Sequence, residues 1–203
     1  MNAAATLGTV LLAYVPAAIT PGPNFVLIAH TAATGTRRAA VAIALGVVAS
    51  GGLLAAVAVF GLGSVLARAP WLATALRVAC GGYLAWLGVR LWWRARAPSA
   101  PVAPAAGGGN AFGRGVLSNL TNPKAAAFFG SVLTATLPPT EPTAVKAAAV
   151  ALIVATSAAW HLTVALLFSS TATQRWYARA EPALNRVVGT VLVVLGVTLA
   201  ITP

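Results

Sequence analysis

Lys124 is the residue of this sequence with the fewest innocent explanations. It follows Asn122 and Pro123 inside an apolar run from Phe112 to Leu137. Earlier in the chain a second apolar run is interrupted by Thr20-Pro21-Gly22-Pro23-Asn24. A third run carries Ser157 and His161, whose i, i+4 spacing sets a hydroxyl and an imidazole on one helical face. An ammonium, two carboxamides and an imidazole could bind a small anionic or zwitterionic solute, and an imidazole could also carry a proton.

The charge on Lys124 needs a partner. An ionised residue near a bilayer centre costs about 2.5–3.5 kcal/mol on insertion scales. Asp is absent, and the only acids, Glu141 and Glu181, stand near the ends of apolar runs. A substrate carboxylate would supply the missing counterion. Alternatively the side chain snorkels to the interface or caps backbone carbonyls. His161 has two readings as well. It binds substrate or a proton, or it is a packed histidine bonded to a helix carbonyl.

The prolines dictate local geometry. Proline lacks an N–H, clashes with the preceding turn and pushes the residue before it out of helical geometry. Thr20 to Asn24 therefore cannot be regular helix, and the freed backbone groups must face protein or a water-filled cavity. Helix restarts after each break. Asn122 before Pro123 suits an N-cap, and Thr20 before Pro21 could do the same. Such N-termini favour an anion.

These residues sit in a chain of 203 residues that is 59% apolar and only 7% charged, with a mean hydropathy of +0.87. Soluble domains carry about 25% charged residues, so this surface requires lipid. The net charge of +11 does not indicate a nucleic-acid partner. The basic residues stand singly or in short clusters between apolar runs, as membrane topology signals do. Cys80 is the only cysteine, which excludes an intrachain disulfide and a multi-Cys metal site. No phosphate loop, His-Glu-x-x-His or nucleophile turn is present, so neither an enzyme nor a cofactor or metal centre is expected. The N-terminus lacks the basic n-region of a secretory signal.

A spanning helix needs about 20 mostly apolar residues. Six candidates follow: Ala4 to Thr34, interrupted by Pro16 and by the first break; Ala39 to Leu66; Trp71 to Trp93; Phe112 to Leu137, interrupted at Asn122-Pro123-Lys124; Ala144 to Ser170; and Ala183 to Ile201. A Pro-, Ala- and Gly-rich connection over 94–110 divides them into two sets of three. Loops after the first, third and fifth candidates hold most of the arginines. The positive-inside rule places those loops in the cytoplasm and both termini outside.

The two sets look related. A constant offset pairs Leu76, Gly81, Leu84 and Gly88 of the third candidate with Leu184, Gly189, Leu192 and Gly196 of the sixth. The first candidate of each set is broken by proline beside asparagine. Three helices per set inverts the second relative to the first, an arrangement common in secondary transporters. The expectation is an all-α integral membrane protein of six transmembrane helices in two inverted repeats. It forms one domain over 1–203, with repeats over about 1–93 and 111–203. Small-residue faces at Gly46, Ser50, Gly51 and Gly52, and at Gly81, Gly82, Ala85 and Gly88, suit close helix packing.

The sequence resembles the LysE/RhtB superfamily of amino-acid exporters along essentially its whole length. The likeness rests on ITPGPNFVLIAHTAATGTRRAAVAIALG from Ile19, on YLAWLGVRL from Tyr83, and on GVLSNLTNPKAAAFFGSVL from Gly115. It implies export of amino acids or related small solutes across the cell membrane, driven by an ion gradient, the proton gradient first. It carries over Pro21, Gly22, Pro23 and Asn24, and Asn122, Pro123 and Lys124, as motif residues. It names no single substrate. With Thr20, Ser157 and His161 these form the expected substrate site. No span contains an acid, so a proton site on the protein would have to be a histidine. Two other readings stand beside this one, a non-transport subunit that assembles with partner proteins and an exporter of another small solute. Six short helices leave little room for a sealed pathway, which suits a homodimer.

Overall fold

The computed structural model describes residues 3–62, 68–95, 110–137 and 140–201, and among these the only regular elements are helices. The first broken run forms α1 (Ala3–Ile19) and α2 (Pro23–Thr34), which meet at a bend of 52°. Next come α3 (Arg37–Ala56), continued by a π-helical turn π1 (Val57–Leu62), and α4 (Pro70–Arg94). The second broken run forms α5 (Ala111–Leu120), α6 (Pro123–Ala127), a π-helical turn π2 (Phe128–Val132) and α7 (Leu133–Thr136). Two long helices close the chain, α8 (Thr143–Leu167) and α9 (Thr171–Ile201).

Local sequence explains the starts. Pro23, Pro70 and Pro123 open α2, α4 and α6, where the missing N–H costs nothing and φ is already helical. Thr36, Asn110 and Asn122 cap α3, α5 and α6 through their side-chain oxygens.

Several expectations need correction. Pro16 does not interrupt α1, because one lost backbone bond is tolerated where the flanking turns stay intact. Thr20 does not cap a restarted helix. It ends α1, while Gly22 takes the cap position of α2 without a side-chain bond. The last helix begins at Thr171 rather than Ala183 and runs through Pro182. Segments over 37–61, 143–167 and 171–201 are each long and apolar enough to cross a membrane, and the bent α1–α2 pair makes a fourth. The tryptophans and arginines of α4 lower its hydropathy, and the α5–α7 run is divided among short pieces. The chain is an all-helical integral membrane protein. The expected 94–110 connection lies, over 96–109, outside the described residues, as does the expected end of the second candidate over 63–66.

Glycines set the helix spacing. α4 and α9 run antiparallel in intimate contact. A Cβ on Gly81 would lie 2.6 Å from the Gly196 carbonyl oxygen, and one on Gly189 would lie 2.7 Å from that of Gly88. α3 and α5 approach in the same way, with Gly46 against the Phe112 backbone and Gly115 against Ile43. Without Cβ atoms, backbones can close to distances that larger residues forbid.

Buried residues fall into two apolar clusters. One gathers Val10 to Ala17 of α1, Ala55 to Val59, Ala125 to Leu133, and Ala149 and Ile153 of α8. The other gathers Phe25 to Ala32 of α2, Ala40 to Val47 of α3, and Val164 and Ala165 of α8. Each of these chain segments changes cluster at a buried polar residue: Thr20 and Asn24 between α1 and α2, Ser50 in α3, Ser157 and His161 in α8. A polar layer thus crosses the molecule at the height of both breaks.

The α4–α9 contact yields a direct test. Gly196→Ala should force the two helices apart, at about 1–3 kcal/mol for an overpacked site, and lower the thermal midpoint of the purified protein. Gly82→Ala, where nothing lies within 4 Å of the new methyl, should leave it unchanged or raise it slightly through helix propensity. Equal midpoints for the two variants would contradict the close approach.

Candidate functional site

The polar layer encloses a cavity of about 40 Å³. Thr20, Asn24, Asn119, Asn122, Lys124, Ser157 and His161 are its polar lining, and Tyr14, Phe25, Phe128 and Phe129 its aromatic lining. That volume accommodates water but falls far below the roughly 300–1,000 Å³ of a drug-sized ligand pocket. A metabolite therefore fits there only if the walls move.

Lys124 occupies the second position of α6, just after the break, and its Nζ donates to the backbone carbonyl of Thr20 at 2.9 Å. Thr20 is buried and directly follows the last residue of α1, so the ammonium sits at a helix C-terminus, where a cation is favoured. Of the two readings of Lys124, the bond matches the one in which the side chain caps a backbone carbonyl. Its charge at the start of one half-helix is placed at the end of another. Gly22 lets it approach, since a Cβ there would lie 3.2 Å from Nζ. A carbonyl carries no formal charge, and no carboxylate lines the cavity among the described residues, so the ammonium remains without a counterion there.

Asn122 is only half satisfied. Its Oδ1 accepts from the Lys124 backbone N–H at 3.0 Å, and its Nδ2 is buried with no partner. An unpaired buried donor costs about 1–3 kcal/mol, which a bound acceptor would recover.

Asn24 belongs to a connected network. Its Nδ2 donates to Asn119 Oδ1 at 2.8 Å, and its Oδ1 accepts from Ser118 Oγ at 2.8 Å. Asn119 Nδ2 donates to Ser50 Oγ at 3.1 Å, and Ser50 donates on to the Gly46 carbonyl at 2.8 Å. Four side chains thereby tie α2, α3 and α5 together. In α8, His161 Nδ1 lies 2.9 Å from the Ser157 carbonyl oxygen and 3.1 Å from its Oγ. A carbonyl can only accept, so that contact fixes the proton on Nδ1 and leaves Nε2 as the acceptor of the neutral ring.

The structure brings Thr20, Asn24, Asn122, Lys124, Ser157 and His161 to one cavity, with Gly22 beside it. Pro21, Pro23 and Pro123 do not line it. The latter two start the half-helices that carry Asn24 and Lys124. Sequence reasoning missed Asn119, Ser118 and Tyr14 and read Ser50 only as a packing residue. The adjacent polar pair Ser118-Asn119 before the second break was a usable signal. Tyr14 gave none, because only tertiary packing sets it 5.3 Å from Phe128 and 6.4 Å from Phe129, ring centre to ring centre.

Residues 15–202 match the family described as LysE type translocator. The chain is 32% identical over 199 residues to the threonine efflux protein of Escherichia coli (strain K12), covering 96% of this chain and 97% of that protein. The threonine efflux protein of Salmonella typhi gives the same identity and coverage. An uncharacterized membrane protein of Escherichia coli (strain K12), YahN, is 29% identical over 185 residues, covering 88% of this chain and 82% of that protein. No solved structure matches significantly. The family match spans both helix breaks and the cavity between them, and the chain belongs to the LysE family of translocators.

Proposed function

We propose that this chain is a secondary exporter of small neutral amino acids, threonine first, from the cytoplasm across the cell membrane. The observation that carries the proposal is the small polar cavity between the two breaks, lined by Lys124 and by Asn122, whose Nδ2 is buried without a partner. A substrate carboxylate would replace the Thr20 carbonyl at Lys124 and give Asn122 Nδ2 its missing acceptor. Tyr14, Phe25, Phe128 and Phe129 offer ring faces to the ammonium end. No carboxylate lines the wall among the described residues, which disfavours lysine and arginine with their second cation. The relatives named threonine efflux protein agree with a small neutral substrate.

The working unit is a single domain over 1–203 of six spans in two inverted repeats. Support comes from the crossed glycine contacts. The offset in sequence pairs Gly81 with Gly189 and Gly88 with Gly196, while in space Gly81 meets Gly196 and Gly88 meets Gly189. That exchange is the signature of a two-fold relation, in which residue i touches j and j touches i. Export draws on the proton gradient. Among the described residues no acid lines the cavity wall, and His161 is the imidazole there that would carry the proton. The arginine distribution puts both termini outside.

Cells expressing the protein and loaded with threonine-containing dipeptides should release threonine faster than vector controls, with lysine release unchanged. Release of every amino acid at the vector rate would defeat the proposal, and equal gains for lysine would defeat the neutral-substrate part. A charge-assisted hydrogen bond contributes about 1.5–3 kcal/mol. Lys124→Gln, at matched membrane abundance, should therefore weaken substrate affinity roughly ten- to a hundredfold. A proton ionophore should abolish the gain, and flux indifferent to it would remove proton coupling while leaving export intact.

A further inference from the structure

Two different cross-chain contacts flank the cavity. Ile43 of α3 packs on Gly115 of α5, and α2 packs on α3, so α2, α5 and the start of α3 share one side. On the other side α1 meets α7, α7 meets π1, and Thr6 of α1 donates to Glu141 at 3.0 Å. The Asn24–Ser118–Asn119 cluster joins α2 to α5 on the first side. The Lys124–Thr20 bond joins the end of α1 to the start of α6 on the second. Each contact is made by the second residue of a restarted half-helix reaching to the final turns of the other broken run. Asn24 does so in α2, and Lys124 in α6.

Aromatic side chains repeat the division. Tyr14 packs on Phe128 and Phe129 on the Lys124 side. On the other side Phe25 packs between Trp160 and Tyr177, with ring centres 6.3 and 5.0 Å away. Phe25 also forms part of the wall of a second, apolar cavity of about 350 Å³ that Trp160 and Tyr177 help to enclose. Phe25 thus belongs to the wall of both the small polar cavity and the larger chamber.

We infer that these are the two gates of the pathway. Asn24, Ser118 and Asn119, backed by Phe25, form the inner gate, which opens into the apolar chamber. Lys124 and the Thr20 carbonyl, backed by Tyr14, form the outer gate. The inference rests on the carrier reading above, and the names inner and outer rest on the positive-inside orientation. Both gate contacts are made here, and the space between them has room only for water. The two differ in chemistry. The inner gate is a neutral, mutually satisfied side-chain network. The outer gate is a charged group on a carbonyl, and an anion inside the cavity can compete for it.

The test is side-specific labelling in a Cys80→Ser background carrying Ala17→Cys on the cavity wall. The probe is a charged, membrane-impermeant methanethiosulfonate, and inside-out vesicles are compared with intact spheroplasts. With both gates intact the thiol should react slowly from either side. Asn119→Ala removes two buried hydrogen bonds, to Asn24 and to Ser50, and should speed labelling roughly ten- to a hundredfold in inside-out vesicles only. Lys124→Met should speed it in spheroplasts only. Ser118→Ala, a milder change at the inner gate, serves if Asn119→Ala does not reach the membrane. Acceleration from the same side in both variants, or from neither side, overturns the assignment. Labelling needs no amino acid, so a wrong substrate class would leave this result untouched and would show only in the release assay.

Discussion

A helix broken inside an apolar medium leaves backbone carbonyls and N–H groups that only the protein can satisfy. That constraint organises this molecule. The end of α1 would present an unpaired Thr20 carbonyl to the interior, and Lys124 from the other half of the chain meets it. The start of α6 would present an unpaired N–H, and Asn122 caps it. The breaks are not independent features of two distant segments, because Lys124 of the second completes the first and Asn24 of the first bonds Ser118 and Asn119 beside the second. Moving either would strand polar groups in apolar surroundings at about 1–3 kcal/mol each.

Holding the breaks together requires the surrounding helices to approach closely, and glycine makes that possible. Gly46 and Gly115 bring α3 against α5, which sets Ser50 within 3.1 Å of Asn119. Gly22 lets the Lys124 ammonium reach past the break. Lipid tails are as apolar as the helix surfaces, so association in a membrane depends on packing and hydrogen bonds rather than on the hydrophobic effect. Small residues and a buried polar layer are the two means this sequence has.

The layer divides the interior into two apolar halves, each with its own aromatic cluster. Aliphatic and aromatic packing in each half is unspecific about small displacements, whereas the hydrogen bonds in the layer are directional. A rearrangement that opens the cavity on one side must therefore exchange a few identified hydrogen bonds while the packing of the opposite half is kept. This arrangement suits a protein that moves a solute and performs no covalent chemistry on it.

The amino-acid sequence by itself determined the membrane class, both breaks, the cap at Asn122 and the singular status of Lys124. Each follows from composition or from local backbone chemistry, which needs no knowledge of the fold. It also marked Ser157 and His161, because a polar pair at i, i+4 in an apolar run can be read from spacing. Tertiary structure decided who meets whom. Lys124 proved to have the Thr20 carbonyl as a partner, Asn24 proved to be held by Ser118 and Asn119, and Tyr14 proved to be part of the wall. Contacts between residues some hundred positions apart depend on how helices cross, and crossing is set by where glycines permit approach. No local pattern encodes that, which is why the site was legible as a set of residues and its closure was legible only in three dimensions.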